Sequence, residues 1–114
     1  MNWKPLENIP TLQTLEHESH EHPVIIFKHS TSCSISSMAL NRLERAWNDE
    51  ETSGTEAYFL DLIRHRDVSQ QVAESFRVEH QSPQLLLIHR GECVYNTSHM
   101  GISYQSLKDQ LATV

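Results

Sequence analysis

The sequence predicts an α/β domain built on a four-stranded mixed sheet with helices on both faces. Three observations lead there. Val24-Ile25-Ile26-Phe27 and Leu85-Leu86-Leu87-Ile88 are strand-length apolar runs without alternation, so each reads as a strand covered on both faces. Helical periodicities alternate with these runs along the chain. Arg90-Gly91-Glu92 joins the last two strands by a connection so short that they form an antiparallel hairpin.

The elements follow in order. Asn8 to His22 is polar with apolar points at Ile9, Leu12 and Leu15, which suits a short amphipathic helix with Thr11 as a possible N-cap. His22-Pro23 ends it, because the residue before proline avoids the α region. Val24 to Phe27 is the first strand. The polar cluster His29-Ser30-Thr31-Ser32 then leads to Cys33. Ile35, Met38, Ala39, Leu43, Ala46 and Trp47 recur at spacings of three and four, the strongest helical pattern in the chain, with Arg42, Glu44 and Arg45 on its outer face. Asn48 to Gly54 is a solvated loop, and Ala57 to Ile63 is the second strand. Val68, Val72, Ala73 and Phe76 share one face of a helix from Asp67 to Phe76, which Asp67 either caps or favours through the helix dipole. Gln84 to Ile88 and Cys93 to Thr97 are the third and fourth strands. After Gly101, Leu107 and Leu111 mark a last amphipathic helix with Ser103 as its N-cap. Strand–helix–strand crossovers are expected to be parallel and right-handed, with the hairpin adding an antiparallel edge. The order α-β-α-β-α-β-β-α is the thioredoxin-like plan.

Composition narrows the function. At 114 residues the chain suits one core, so 1–114 reads as a single domain. No apolar run approaches the ~20 residues of a membrane helix. Met1-Asn2-Trp3-Lys4-Pro5 carries no apolar signal region, so a cytoplasmic location is expected. A net charge of −6, from 9 basic and 15 acidic side chains, argues against a nucleic-acid partner, which calls for a basic face. Two cysteines, Cys33 and Cys93, exclude a disulfide framework and a four-cysteine zinc site. In a reducing compartment each is either packing or a working thiol.

Cys33 lies where the first strand hands over to the strongest helix. The unpaired N–H groups and positive dipole end of a helix N-terminus favour thiolate over thiol. Ser30, Thr31, Ser32 and Ser34 are short, leave the sulfur accessible and offer hydroxyl donors. Cys33-Ser34-Ile35-Ser36 is a C-x-x-C redox tetrad with the second thiol replaced by a hydroxyl. Ser36 is expected to donate a hydrogen bond to the thiolate without resolving a mixed disulfide. The chemistry this pattern supports is monothiol exchange, released by an outside thiol; the bland alternative is a small buried residue at a helix start. Ser82-Pro83 precedes a buried strand, where a cis peptide bond or an ordinary trans proline would each fit. In the thioredoxin-like plan this turn lies beside the nucleophile, and the backbone of Ser82 could pair with an extended substrate.

Phe27 to Ser36 resembles the active-site stretch of the YtxJ-type bacilliredoxin family, monothiol thioredoxin-fold proteins of the bacillithiol system. His80-Gln81-Ser82-Pro83-Gln84 resembles that family's cis-proline segment, and Asn96-Thr97-Ser98-His99 the segment before its last helix. The resemblance spans nearly the whole chain. It implies removal of bacillithiol from protein mixed disulfides, with Cys33 as nucleophile, Ser82 and Pro83 in the substrate-side loop, and Pro83 cis. It also implies bacillithiolated client proteins as partners and bacillithiol as thiol co-substrate, with no tightly bound cofactor. Two positions depart from the family. Ser34 stands where proline usually follows the cysteine, and Met100 where a large aromatic follows the histidine.

Cys93 reads as a strand residue rather than a resolving thiol, because hairpin edges in this plan point away from the active site. His17, His20 and His22 read as a solvated helix end rather than a metal cluster. His29 and His99, if protonated, could stabilise the thiolate, or each could only bond the local backbone. The alternative to an oxidoreductase is a non-catalytic interaction module presenting the Cys33 surface. An arsenate-reductase-like or glutaredoxin-like enzyme ranks last, because no basic cluster surrounds Cys33.

Overall fold

A computed structural model describes residues 2–114, so Met1 of the expected leaderless start lies outside the described residues. In chain order the elements are β1 (Trp3–Pro5), α1 (Ile9–Glu18), β2 (Val24–His29), α2 (Ser34–Ala46), β3 (Glu56–Asp61), α3 (Arg66–Phe76), β4 (Gln84–His89), β5 (Glu92–Ser98), a 3₁₀ turn (His99–Gly101) and α4 (Tyr104–Leu111). The strands form one mixed sheet in the order β1-β3-β2-β4-β5. This is the thioredoxin-like architecture, with five strands where the sequence pattern shows four.

All six residues of β2 are buried. Successive side chains of a strand point to opposite faces. Val24 and Ile26 therefore join Leu12 and Leu15 of α1 and Val68, Val72 and Phe76 of α3 in one core. Ile25 and Phe27 join Ala39 and Leu43 of α2 and Leu107 of α4 in the other. Two covered faces explain why the run shows no polar alternation. Among the described residues no helix is long and apolar enough to cross a membrane.

Four expectations need correction. Asn8, not Thr11, caps α1: its side chain accepts the Thr11 N–H at 2.8 Å, which places the cap before Pro10 in the first turn. The helix also stops at Glu18, short of Pro23. Ser19 is wholly buried and works outside the helix, its carbonyl accepting from Arg90 N–H at 2.8 Å and its hydroxyl from Gly91 N–H at 2.9 Å. That turn has positive φ at both Arg90 and Gly91, the geometry that matches hairpin twist. On α2, Ile35 and Met38 are 48% and 60% exposed, while Arg42 turns inward and donates to the Ile102 carbonyl at 2.9 Å. Finally, β4 runs antiparallel to β2, with Lys28 opposite Gln84 and Val24 opposite Ile88. α3 ends at Arg77 in the left-handed region, and the segment to Pro83 brings the chain back to the end of the sheet it had left. Asp67 lies in the first turn of α3, where its charge suits the dipole, while His65 is the cap residue.

β1 escapes the sequence pattern because it is three residues long, ends in proline and lies at an edge. Packing holds it. The Trp3 ring sits 5.9 Å from Phe27, 6.0 Å from Phe59 and 6.4 Å from Trp47 between centroids, and its Nε1–H donates to Glu44 at 3.1 Å. Trp3→Ala is expected to cost about 2 kcal/mol, less than a fully buried tryptophan. Urea unfolding checks the loss, and the Cys33 alkylation rate should not change.

Candidate active site

The last two residues of β2 point to opposite layers. His29 is buried beneath α2, and its Nδ1 shares a 2.7 Å hydrogen bond with Ser36 Oγ. The same oxygen accepts the Ser30 N–H at 3.1 Å. Burial holds the His29 imidazole below its ordinary range, outweighing the carboxylates of Asp61 and Glu44. The loop then closes on itself: Cys33 N–H donates to Ser30 O and Ser37 N–H to Cys33 O, each at 3.2 Å. Cys33 is the N-cap residue of α2, half-buried, with extended backbone and no side-chain capping bond. Its sulfur is thus left uncommitted at the start of a 13-residue helix. Ser32 and Ser34 flank it and are exposed; Ser32 Oγ lies 3.2 Å from Ser30 Oγ.

The antiparallel register carries the second half of the site to the same end of the sheet. Gln84 lies opposite Lys28, so Ser82-Pro83 directly precedes the strand residue beside the end of β2. The Ser82-Pro83 peptide bond is cis. The Pro83 carbonyl accepts the N–H of His99 at 3.1 Å, tying the 3₁₀ turn to the proline. His99 is exposed with φ 53°. Ser82 Oγ is buried without a partner. The 3₁₀ turn touches α2, and Ile35, Met38 and Met100 stay exposed on these two elements, Met100 at 76%.

A strand end, a single cysteine at the helix start and a cis-proline turn tied to a following histidine thus meet at one end of the sheet. Residues 4–107 match the family model described as monothiol bacilliredoxin BrxC. The chain belongs to the monothiol bacilliredoxin family. Among solved structures it is similar to a candidate oxidoreductase with a thioredoxin fold, 29% identical, covering 95% of this chain and 91% of that one with a TM-score of 0.80. Malassezia sympodialis thioredoxin is 12% identical (98% and 90% covered, TM-score 0.76), and Fasciola hepatica thioredoxin 15% identical (96% and 97%, TM-score 0.72). The last two show the fold alone. The family places the protein in thiol–disulfide chemistry.

Within this bacilliredoxin two sequence-derived roles change. Ser36 is wholly buried, and its hydroxyl serves His29 and Ser30 rather than the Cys33 thiolate. The tetrad spacing places Ser36 on the helix correctly, but its rotamer follows the buried N–H and imidazole that need a partner. His29 is correspondingly a buried neutral ring, not a cation beside the thiolate. Cys93 packs against the α1/α3 core, donates to Tyr95 O at 3.3 Å, and has its thiol pushed up by burial. It pairs with Ile88, which lies opposite Val24 at the far end of β2 from Cys33. Among the described residues, His22 is the one N-terminal histidine that joins a group of three potential ligands, with Glu18 and Glu56. Those carboxylates already engage Tyr58 at 2.6 Å and Lys4 at 2.9 Å.

Two polar residues went unread in the sequence. Lys28 is wholly buried and donates to Ser69 O at 3.0 Å and toward His80 Nδ1 at 3.2 Å. Burial pushes its ammonium down to about 8. Burial, and the Lys28 charge, push His80 down as well. The available signal was a lysine following four apolar residues of a strand covered on both faces.

Ser36→Ala should cost ~1–3 kcal/mol, by leaving the Ser30 N–H unpaired in a buried loop. Urea unfolding reads the loss, and faster Cys33 alkylation would report the loosened loop. Lys28→Met should change the pH dependence of stability. In the window from about 8 to the ordinary lysine value near ~10.4, the unfolded chain holds the proton that the folded one has released. Stability from this group therefore rises with pH there, by up to ~1.4 kcal/mol per pH unit. Denaturation at pH 7 and pH 10 should show the parent gaining on the methionine variant as pH rises.

Proposed function

We propose that this bacilliredoxin removes bacillithiol from mixed disulfides on cytoplasmic client proteins. The observation that carries the reading is a single uncommitted thiol at the start of α2, with Ser36 turned inward where a second thiol would stand. The Cys33 thiolate attacks the bacillithiol sulfur of the client disulfide. A Cys33–bacillithiol disulfide forms, the client sulfur leaves with the electron pair of the broken bond, and it takes a proton from solvent. A second low-molecular-weight thiolate then attacks the bacillithiol sulfur on Cys33, giving a small disulfide and free Cys33. No tightly bound cofactor enters either step.

Client recognition in this scheme uses the exposed apolar groups Ile35, Met38 and Met100, together with strand-like pairing to the Ser82 main chain. Ser32, Ser34 and His99 supply polar contacts for the bacillithiol moiety. A non-catalytic module would use the same surface without exchange, so chemistry decides between the two. Transfer of labelled bacillithiol from a client should vanish in Cys33→Ala and stay within about twofold of the parent in Cys93→Ser. Full transfer in Cys33→Ala, or a Cys33–Cys93 disulfide during turnover, would sink the monothiol scheme.

A further inference from the structure

Lys28 is wholly buried, and an apolar side chain of its length would fill the same space without the cost of burying an ammonium. What the ammonium adds is a link between elements. Its Nζ donates to Ser69 O of α3 at 3.0 Å and meets His80 Nδ1, in the segment between α3 and β4, at 3.2 Å. Ser69 Oγ lies 3.4 Å from the same nitrogen. His80 as a whole is exposed, yet its Nδ1 is turned to the buried lysine.

That segment has few other holds. Residues 79–82 belong to no helix or strand, and among the described residues their main chain makes one hydrogen bond, from Gln84 Nε2 to Glu79 O at 3.1 Å. Gln84 is buried and is the cross-strand partner of Lys28, so the two side chains leave the sheet on one face. Neighbouring positions of β2 and β4 thus grip neighbouring residues, Glu79 and His80, just before Ser82 and Pro83. Beyond them the chain is tied again where Pro83 O accepts His99 N–H at 3.1 Å. Ser82 lies between the two holds, and its hydroxyl is buried without a partner. Its main chain is positioned by what flanks it.

We propose that Lys28 is a positioning residue for client binding, acting through His80 to hold the Ser82 main chain in place for an extended client. This role rests on the client-side use of Ser82 proposed above, and it needs no bacillithiol. An ammonium has only donors, so the hold requires the free electron pair of Nδ1. Protonation of His80 removes that pair and sets two like charges 3.2 Å apart. The other charged groups beside the ring are Arg66 of α3, which lines a pocket with it, and Glu79, its neighbour in the chain. Burial and the Lys28 charge lower the affinity of the ring for a proton, so release comes below the ordinary histidine value of ~6.5. Lys28, pushed down to about 8, keeps its own proton there.

The test compares a short unstructured cysteine peptide, carried as its pyridyl disulfide, with dipyridyl disulfide itself. In each case the Cys33 thiolate bonds to one sulfur. Pyridine thiolate leaves with the electron pair of the broken bond and takes a proton to become thiopyridone, which is read. The thiolate fraction of Cys33 is common to both rates and cancels in their ratio. In Lys28→Met and in His80→Ala the peptide rate should fall by roughly three- to tenfold, the scale of one hydrogen bond, with the small-disulfide rate within about twofold of the parent. The double variant should lose no more than either single one. His80→Ala removes an exposed ring and should leave folding intact, so it decides the matter even where Lys28→Met lowers stability. In the parent the ratio should fall as pH drops from about 7 to about 5, and in His80→Ala it should stay level. An unchanged ratio in His80→Ala, equal loss with both disulfides, losses that multiply in the double variant, or a level ratio in the parent overturns the proposal. No transfer of labelled bacillithiol from a client, with the ratios changing as expected, would fault the proposed function and leave the role of Lys28 standing.

Discussion

The end of β2 is the constraint on which the site depends. The strand is buried on both faces, yet its last two residues, Lys28 and His29, carry polar heads that must find partners away from water. They find them in opposite layers. Lys28 reaches the Ser69 carbonyl in α3, and His29 reaches the Ser36 hydroxyl in α2. Each bond ties a helix to the same point of the central strand. The loop that follows has little freedom left: Ser30 N–H is taken by Ser36, and Cys33 N–H by Ser30 O. Cys33 is positioned by what holds its neighbours, and its own side chain is left free.

This arrangement has a chemical consequence. A second cysteine at position 36 would need to turn toward Cys33 to resolve a mixed disulfide. Here that position is committed to two buried partners and points into the protein. Loss of the second thiol is thus built into the packing of the first helical turn. Cys93 offers no substitute, being held in the other core and paired near the opposite end of β2. In the exchange proposed above, release of Cys33 therefore falls to an outside thiol.

Much of this was legible in the residues, and the parts that were not have physical causes. The strand run Val24–Phe27, the helix after Cys33, the Ser103 cap and the Arg90-Gly91 turn are local signals, and local geometry delivered them. The cis Ser82-Pro83 bond came through family resemblance, since proline statistics alone favour trans. β1 was invisible because its three residues are held by contacts of Trp3 with residues far along the chain. The direction of β4 depends on how the chain returns after α3, which periodicity does not encode. The partners of Ser36 and Lys28 are likewise non-local. A hydroxyl three residues after a cysteine is equally able to face the sulfur or the core, and only the unmet needs of Ser30 and His29 decide.

The departure at Ser34 can be weighed in the same terms. Proline at a first helical position fixes φ and removes an N–H that has no intrahelical partner. In this protein α2 still begins at Ser34, because the start is held from two other directions. Ser37 N–H closes on Cys33 O, and Ser36 Oγ anchors Ser30 N–H from inside the turn. Fixing φ at position 34 would therefore add little to a helix start already determined. What the serine changes is the donor count. Its N–H stands next to Cys33 with no helical carbonyl to serve, and its side chain is exposed. Where a proline would offer no main-chain donor, Ser34 keeps an N–H at the first position of α2. The substitution is thus neutral for the fold.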